Sequence, residues 1–331
     1  MLLTAGACNW VSLGRNALKY DLIQQGEAGN VAALDSVAFV TLAESGLGII
    51  DARTGRTLAT IPPPPGSESV DDLAISGQLL FALDAREPGH LSVFSLRNPM
   101  RPALVSGPRA VPVGPFSGVS ANSGISIVSG GTSQMTAWRY DSAGVLDGPT
   151  ATADLGRGQP DVLVARNGAT AFVSTHYWGP YFGLDIVRYQ ASKRQLTKLA
   201  ELELDGAGFT DGGAKPANFP IESAQLDDNT LLVAFARGVA VIDVSDARTP
   251  RVKQVLDVGG RAVNVDVSQR EVAVVVIGPT PGIVLLDFSG GVAHVVRRIT
   301  LRTGTNPIAV TFTMRAIVVA ARDQGVLVFE R

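Results

Sequence analysis

Short apolar runs separated by turn residues follow one another along most of the chain. In the clearest unit, Ile221–Leu226 and Thr230–Phe235 flank a turn at Asp227–Asn229, and Val239–Val244 and Arg251–Val258 follow after further turns. These runs are rich in valine and isoleucine, have the length of strands, and lack the 3.6-residue period of an amphipathic helix. The pattern therefore predicts four short β-strands in each unit.

The same unit recurs along the sequence. Gly238–Val244 is similar to Gly46–Ala52, Gly282–Phe288 and Gly325–Arg331, and weaker copies lie at residues 91–96, 135–140 and 184–189. The near-final polar residue of each copy falls at positions 51, 95, 139, 188, 243, 287 and 330, so the intervals are 44, 44, 49, 55, 44 and 43 residues. Four strands in about 40–50 residues are typical of a propeller blade. We therefore predict an all-β fold, a seven-bladed β-propeller of four-stranded blades.

The two ends of the chain complement each other. The seventh unit, from Thr305, supplies three strands before Arg331, and the apolar run Ala17–Ile23 offers the missing outer strand. Pairing them would close the ring within one blade and remove an exposed sheet edge. We expect residues 17–331 to form a single propeller domain, preceded by an N-terminal segment at residues 1–16.

One repeat resembles a known family. Gly238–Pro250, with the sequence GVAVIDVSDARTP, is similar to the LVIVD-type repeat of bacterial surface and secreted propeller proteins. The resemblance implies a propeller that commonly mediates binding outside the cytoplasm. It implies no single activity and no catalytic residues.

Composition and charge narrow the possible partners. Apolar residues make up 46% of the 331 residues, charged residues 18%, and the formal net charge is −2. Such a chain is not of the disordered class and lacks the basic excess of a nucleic-acid-binding protein. No apolar run approaches the roughly 20 residues of a membrane-spanning helix. We expect protein partners, no nucleic acid and no transmembrane segment.

The single cysteine, Cys8, follows the small residues Ala5, Gly6 and Ala7. This arrangement resembles the end of a bacterial lipoprotein signal, in which the cysteine is lipidated, although no basic region precedes it and the apolar stretch is short. The alternative is an ordinary cysteine in a short N-terminal segment. On the first interpretation the protein is extracytoplasmic, in the periplasm or at the surface, with a lipid anchor.

Two long loops are expected on one face of the ring, because connections between blades and between second and third strands share a face. Insertions on a repeated scaffold often carry binding specificity. Aromatic side chains supply large contact areas, although these rings could instead fold back on blade 4. The candidate binding residues of blades 4 and 5 are His176, Tyr177, Trp178, Tyr181, Phe182, Phe209 and Asp211.

First strands begin at the same face, where polar side chains would surround the channel mouth. Converging carboxylates there could bind a divalent cation or act as acid and base in a hydrolase. The alternative is a solvated acidic rim. The candidate mouth residues are Asp71, Asp72, Ser117, Asp161, Glu222 and Asn264.

These observations favour a non-catalytic binding or scaffold propeller at the bacterial cell envelope, with a protein partner held by one face. One alternative is a metal-dependent hydrolase or lactonase-type propeller with its site at the acidic mouth. Another is a structural subunit of a larger membrane-associated complex. We expect no cofactor, apart from the divalent cation that the enzyme alternative would need.

Overall fold

The structure, a computed structural model, describes residues 18–22, 28–111, 118–130, 134–155, 160–176, 182–204, 222–235, 238–289 and 291–331. Within these ranges, 28 strands form seven four-stranded antiparallel sheets, and no helix is present. The sheets are the seven blades of a ring, which confirms the predicted β-propeller. No helix in these ranges is long and apolar enough to cross a membrane.

Each blade has its first strand beside the central channel and its fourth strand at the rim. The first strands are β2 (Val31–Leu34), β6 (Asp72–Ser76), β10 (Gly118–Asn122), β14 (Pro160–Val164), β18 (Ser223–Asp227), β22 (Arg261–Ser268) and β26 (Ala309–Phe312). The second strands are β3 (Val37–Thr41), β7 (Leu79–Asp84), β11 (Ile125–Ser129), β15 (Thr170–His176), β19 (Thr230–Phe235), β23 (Glu271–Ile277) and β27 (Ala316–Ala320). The third strands are β4 (Leu47–Asp51), β8 (Gly89–Ser95), β12 (Gln134–Tyr140), β16 (Phe182–Gln190), β20 (Gly238–Asp243), β24 (Gly282–Ser289) and β28 (Val326–Glu330). The outer strands are β5 (Arg56–Ile61), β9 (Ala103–Val111), β13 (Leu146–Asp154), β17 (Gln195–Glu203), β21 (Arg251–Asp257), β25 (Val292–Thr300) and β1 (Leu18–Leu22).

The strand register shows that the repeat positions found in the sequence are structurally equivalent. In every blade the recurring polar residue of the third strand lies opposite the first residue of the second strand. These pairs are Asp51 with Val37, Ser95 with Leu79, Arg139 with Ile125, Arg188 with Thr170, Asp243 with Thr230, Asp287 with Glu271 and Glu330 with Ala316.

The apolar runs are explained by the packing of blades against each other. Second strands such as β3 and β7 are buried along their whole length, because both of their faces lie against neighbouring blades. One apolar cluster fills each of the seven seams between neighbouring blades. The outer strands instead face solvent on one side, and β21 alternates regularly between exposed and half-buried positions.

The ring closes through the two ends of the chain. Strand β1 pairs with β28, with Tyr20 opposite Val328 and Leu22 opposite Val326, so the seventh sheet has the order β1-β28-β27-β26. The prediction of a closing strand at residues 17–23 is confirmed. A backbone bridge between Ala28 and Arg322 and an apolar cluster from blades 1 and 7 fill the last seam.

An irregularity recurs where the third and fourth strands pair. In blades 1, 4, 5 and 6 the register shifts by one residue at the middle of the third strand, and the extra residues are Leu58, Leu199, Lys253 and Val296. Such bulges bend the outer strand and increase its twist. The repeat therefore includes a bulge that the alternation of apolar residues did not reveal.

The closing pair gives a first prediction. In a Cys8→Ser background, Tyr20→Cys with Val328→Cys should form a disulfide that ties the ring shut, because these residues are register partners. A bridge across roughly 300 residues should raise the thermal midpoint by roughly 5 °C or more, and reduction should reverse the rise. The off-register pair Leu22→Cys with Phe329→Cys is the control, and equal cross-linking of that pair would contradict the closure.

Candidate functional site at the channel mouth

The register defines one ring of equivalent positions at the mouth of the channel. These positions face the fifth residue of each second strand, and we call them the mouth ring. Its members in blades 1 to 7 are Asn30, Asp72, Gly118, Asp161, Glu222, Asn264 and Ala309. Five of the seven are polar and, together with deeper residues of the first strands, line a cavity of about 430 Å³.

The polar side chains occupy these positions because the first strands have a free edge towards the channel. Buried backbone N–H groups on such an edge need acceptors, since no further strand pairs with them. At three of the seams the acceptor comes from the preceding blade. Asp72 Oδ2 accepts from the N–H of Val119 at 2.7 Å, and Asn264 Oδ1 accepts from the N–H of Val310 at 3.0 Å. The N–H of Ser223 makes the corresponding hydrogen bond to Asp161.

A second set of seam hydrogen bonds lies two residues deeper in the channel. Ser120 Oγ accepts from the N–H of Val164 at 2.9 Å, and Asp266 Oδ2 accepts from the N–H of Phe312 at 2.9 Å. The Thr311 hydroxyl lies 3.0 Å from the same oxygen and donates to it. Side chains of the first strands therefore connect neighbouring blades at two levels.

Side-chain amides extend the mouth ring around the channel. The amide of Asn30 donates to Asp72, and that of Asn264 donates to Glu222. Each amide thus joins its own blade to a neighbour.

The carboxylates of blades 2 and 4 approach each other across the glycine of blade 3. A Cβ built on Gly118 would lie 3.2 Å from Asp161 Oδ1 and 3.5 Å from Asp72 Oδ2. The small residue therefore leaves space in which two acidic side chains converge. Like charges in an enclosed site repel, so one of the pair tends to hold a proton.

The electrostatics of the channel favour protonated carboxyl groups. Burial raises the pKa of Asp72 to about 6, although its hydrogen bonds oppose the shift. Burial and the charge of Asp72 raise the pKa of Asp161 to about 7. Burial, and then the charges of Asp161 and Asp72, raise the pKa of Glu222 well above its usual range. Burial also raises the pKa of Asp266. Burial is thus the first cause of the raised pKa in all four channel carboxyls.

In the ranges that the structure describes, no three His, Cys, Asp or Glu side chains are grouped closely enough to hold a metal ion. His90 Nδ1 lies 3.9 Å from Asp84 Oδ2 on blade 2, and His294 lies on the outer strand β25. The cation of the enzyme alternative stays a prediction.

The structure brings together most of the mouth residues that the sequence suggested. Asp72, Asp161, Glu222 and Asn264 line the cavity. Asp71 does not belong to it, because its Oδ2 accepts from Ser69 Oγ at 2.6 Å and from the N–H of Ala85 at 2.8 Å. The side chain of Asp71, next to Asp72 in the chain, is directed into its own blade, as the alternation of a β-strand requires.

Four members of the site were missed in the sequence. Asn30, Gly118 and Ala309 occupy mouth-ring positions, and Asp266 lies in the second level of seam hydrogen bonds. Aligning the seven first strands by their second-strand partners would have found them. Ser117, suggested instead of Gly118, lies outside the described residues.

The candidate loop residues are only partly described. His176 ends β15 and is the register partner of Phe182, which begins β16, so these two residues lie at the channel-mouth face. Tyr177, Trp178, Tyr181, Phe209 and Asp211 lie outside the described residues, as does Cys8 with the segment 1–16. The binding role of these residues stays a prediction.

Comparisons with known proteins show the fold alone. No family model matches the chain, and no curated protein matches it in sequence. The structure is similar to the WD40 β-propeller domain of Doa1, with a TM-score of 0.63 and 12% identity over 96% of this chain and 97% of that chain. It is also similar to the computationally designed protein Ika8, with a TM-score of 0.58 and 11% identity over 97% of this chain and 95% of that chain. These likenesses support the propeller, and the resemblance to the LVIVD-type repeat rests on sequence alone.

The raised pKa values predict that the free energy of unfolding decreases as the pH rises towards neutral. A carboxyl whose folded pKa lies above its unfolded value stabilises the fold fully below the unfolded pKa, and this contribution is lost as pH rises through the folded pKa. For Asp72 and Asp161, with folded values of about 6 and about 7, the loss should fall between about pH 4 and pH 7. The variant Asp161→Asn keeps a seam acceptor, as Asn264 does in blade 6, but carries no charge.

Chemical unfolding at pH 5 and pH 8 measures this effect. We expect the Asp161→Asn variant to be about 1–3 kcal/mol more stable than the parent at pH 8 and to have a flatter stability profile. The exposed Asp323→Asn variant is the control and should follow the parent. A parent protein that becomes steadily more stable from pH 5 to pH 8 would contradict the assignment of protonated channel carboxyls.

Substitutions of two serines in blade 3 test how much the seam hydrogen bonds stabilise the fold. Both are buried, but Ser120 Oγ accepts from Val164, whereas Ser126 Oγ has no hydrogen-bond partner among the described residues. The variant Ser120→Ala should cost about 1–3 kcal/mol of unfolding free energy, because it leaves a buried N–H without an acceptor. The variant Ser126→Ala should cost much less. Equal losses in urea unfolding would show that the seam bond contributes nothing specific.

Proposed function

We propose that this protein is a non-catalytic binding propeller that holds a protein partner on its channel-mouth face and acts at the bacterial cell envelope. The observation that carries the proposal is the place where the two candidate loops of blades 4 and 5 join the ring. The connection between His176 and Phe182 starts and ends at that face. The second insertion begins after Leu204 and ends at Glu222, which is itself a member of the mouth ring.

The position of the insertions suggests one continuous binding region. The described residues that flank them, such as His176 and Glu222, lie in blades 4 and 5 on the side of the mouth that carries Asp161 and Glu222. The sequences of these insertions contain Tyr177, Trp178, Tyr181 and Phe209. Aromatic side chains of this kind contribute strongly to protein recognition, because they bury large areas at little cost in conformational entropy.

The rest of the ring is suited to the role of a rigid support. Apolar clusters fill the seams, and side chains connect neighbouring blades at the channel. Rigid scaffolds that carry variable loops are a common arrangement for binding. Propellers, including WD40 domains, commonly serve as scaffolds for protein interactions. The envelope location rests on the LVIVD-type repeat and on the residues before Cys8.

A second function has one observation in its favour. Asp72 and Asp161 converge beside Gly118 and have pKa values of about 6 and about 7. Carboxyl groups that exchange protons near neutral pH are suited to general acid–base catalysis. A hydrolase or lactonase working at the mouth is therefore the competing proposal.

Affinity capture from native membranes tests the binding proposal. The variant with Tyr177→Ala, Trp178→Ala and Tyr181→Ala should lose at least about nine-tenths of the captured partner, as expected for hot-spot residues that each contribute about 1–2 kcal/mol. Its thermal midpoint should stay within about 3 °C of the parent, because surface substitutions usually cost little. Quantitative mass spectrometry of the eluates measures the capture.

A matched triple variant on the opposite face controls for surface changes in general. Arg270→Ala, Met314→Ala and Arg315→Ala alter exposed residues in first-to-second-strand turns, and capture should be unchanged. Equal capture by both triple variants would reject the channel-mouth face as the binding surface. Hydrolysis of a lactone panel that is abolished by Asp161→Asn would support the enzyme instead.

A further inference from the structure

A second cavity opens on the side of the ring opposite the channel mouth. It has a volume of about 440 Å³ and lies between blades 4 and 5, where the turns of blade 5 approach the start of β15 and the end of β16. Pockets for small ligands commonly have volumes of about 300–1,000 Å³. We call this cavity the seam groove. Its polar lining includes Asn167 and Arg188 of blade 4, and Asp228, Asn229, Asp246 and Arg248 of blade 5.

Arg188 departs from the repeat at the place where the groove opens. The equivalent residue is acidic in four blades, and two of these acids are neutralised within their own blade. Asp51 pairs with Arg53 at 3.2 Å, and Asp243 pairs with Lys253 at 2.9 Å. In blade 4 the position carries a half-buried guanidinium instead. Among the described residues, no carboxylate forms an ion pair with it.

The other blade with arginine at this position provides a comparison. Arg139 of blade 3 occupies the same register position but is exposed, and it lines neither the channel nor the seam groove. The arginine alone is therefore not what distinguishes blade 4. The distinguishing feature is a half-buried arginine that faces a cavity.

The groove presents guanidinium donors beside carboxylate acceptors. Asp246 already accepts from the N–H of Arg248 and from the Thr249 hydroxyl, each at 2.9 Å. Asn167 Oδ1 accepts from the backbone N–H groups of Ala169 and Thr170 at 2.9 and 3.0 Å, and its amide nitrogen donates to the Thr170 hydroxyl at 3.4 Å. The charged donors of the groove are therefore the guanidinium groups of Arg188 and Arg248. A ligand that complements them must present acceptors.

The charged side chains of the seam groove determine which acceptor group the ligand should carry. Two guanidinium groups favour an anion, whereas Asp228 and Asp246 at the same groove would repel a dianion such as phosphate. A planar carboxylate matches the two parallel donors of a guanidinium, and it carries a single charge. The aspartate oxygens can then accept from hydroxyl or amino groups on the rest of the ligand.

We propose that the seam groove is a binding site for a small organic acid that also carries hydroxyl or amino groups, with its carboxylate held by Arg188. This site lies on the face opposite the proposed partner-binding face. Its ligand binding is therefore measured on the isolated protein, and it succeeds or fails independently of partner capture.

Titration calorimetry of the full chain tests the proposal with glucuronate, glutamate and lactate as probes. At least one of these acids should bind saturably at millimolar concentrations or below, since one bidentate pair with a few hydrogen bonds gives affinities of about that order. Glucose, the neutral counterpart of glucuronate, and inorganic phosphate should each bind at least about tenfold more weakly.

Matched variants assign the binding to the groove. Arg188→Gln should weaken binding at least about tenfold, and Arg139→Gln, its equivalent in blade 3, should leave it unchanged. If Arg188→Gln alters the thermal midpoint, the exposed Arg248→Gln provides a second variant, which should also weaken binding. The proposal is overturned if none of the three acids binds saturably below about 10 mM, if phosphate binds equally well, or if binding survives both groove variants.

Discussion

The free inner edge of each blade is the constraint on which the centre of this protein depends. Seven first strands surround one channel, and their channel-facing backbone N–H groups have no further strand with which to pair. The preceding blade supplies acceptors from its own first strand, as Asp72 does for Val119 and Asn264 does for Val310. The polar residues at the mouth therefore have a structural role whatever else they do.

The use of first-strand carboxylates as acceptors concentrates acidic groups in the enclosed channel. A carboxylate is a strong acceptor for an N–H, but several of them around one channel repel each other and lose hydration. The ring reduces this repulsion by using amides at Asn30 and Asn264, no side chain at Gly118, and a methyl group at Ala309. Burial and mutual repulsion raise the pKa values of the remaining carboxyls, Asp72, Asp161 and Glu222. The chemistry of the mouth is thus a consequence of how the blades are connected.

The sequence was most informative where the structure repeats. The recurrence around Asp51, Asp243 and Asp287 predicted the number of blades, because each copy occupies the same register position. The closing strand was predictable because the last unit lacked its fourth strand. The bulges at Leu58 and Val296 were not, since an extra residue in a solvent-facing strand leaves no clear mark on the apolar pattern.

Side-chain direction and seam geometry were the features that sequence reasoning could not supply. Asp71 and Asp72 are adjacent and chemically alike, yet one bonds within its own blade and the other bonds to the next. Arg188 counted only as one of the recurring polar residues of the repeat, and its significance depends on a cavity formed with turns of another blade. Such a cavity depends on how two blades fit together, and neither blade's sequence specifies that fit alone.

The pairing of β1 with β28 also joins two segments that lie far apart in the sequence. Among the described strand pairs it has the longest sequence separation, since Tyr20 is the register partner of Val328. Loop-closure entropy opposes contacts of this kind, so they form late compared with the hairpins inside a blade. The apolar residues that meet in the last seam, such as Val40 of blade 1 and Val318 of blade 7, gain their partners across it only when the ring closes.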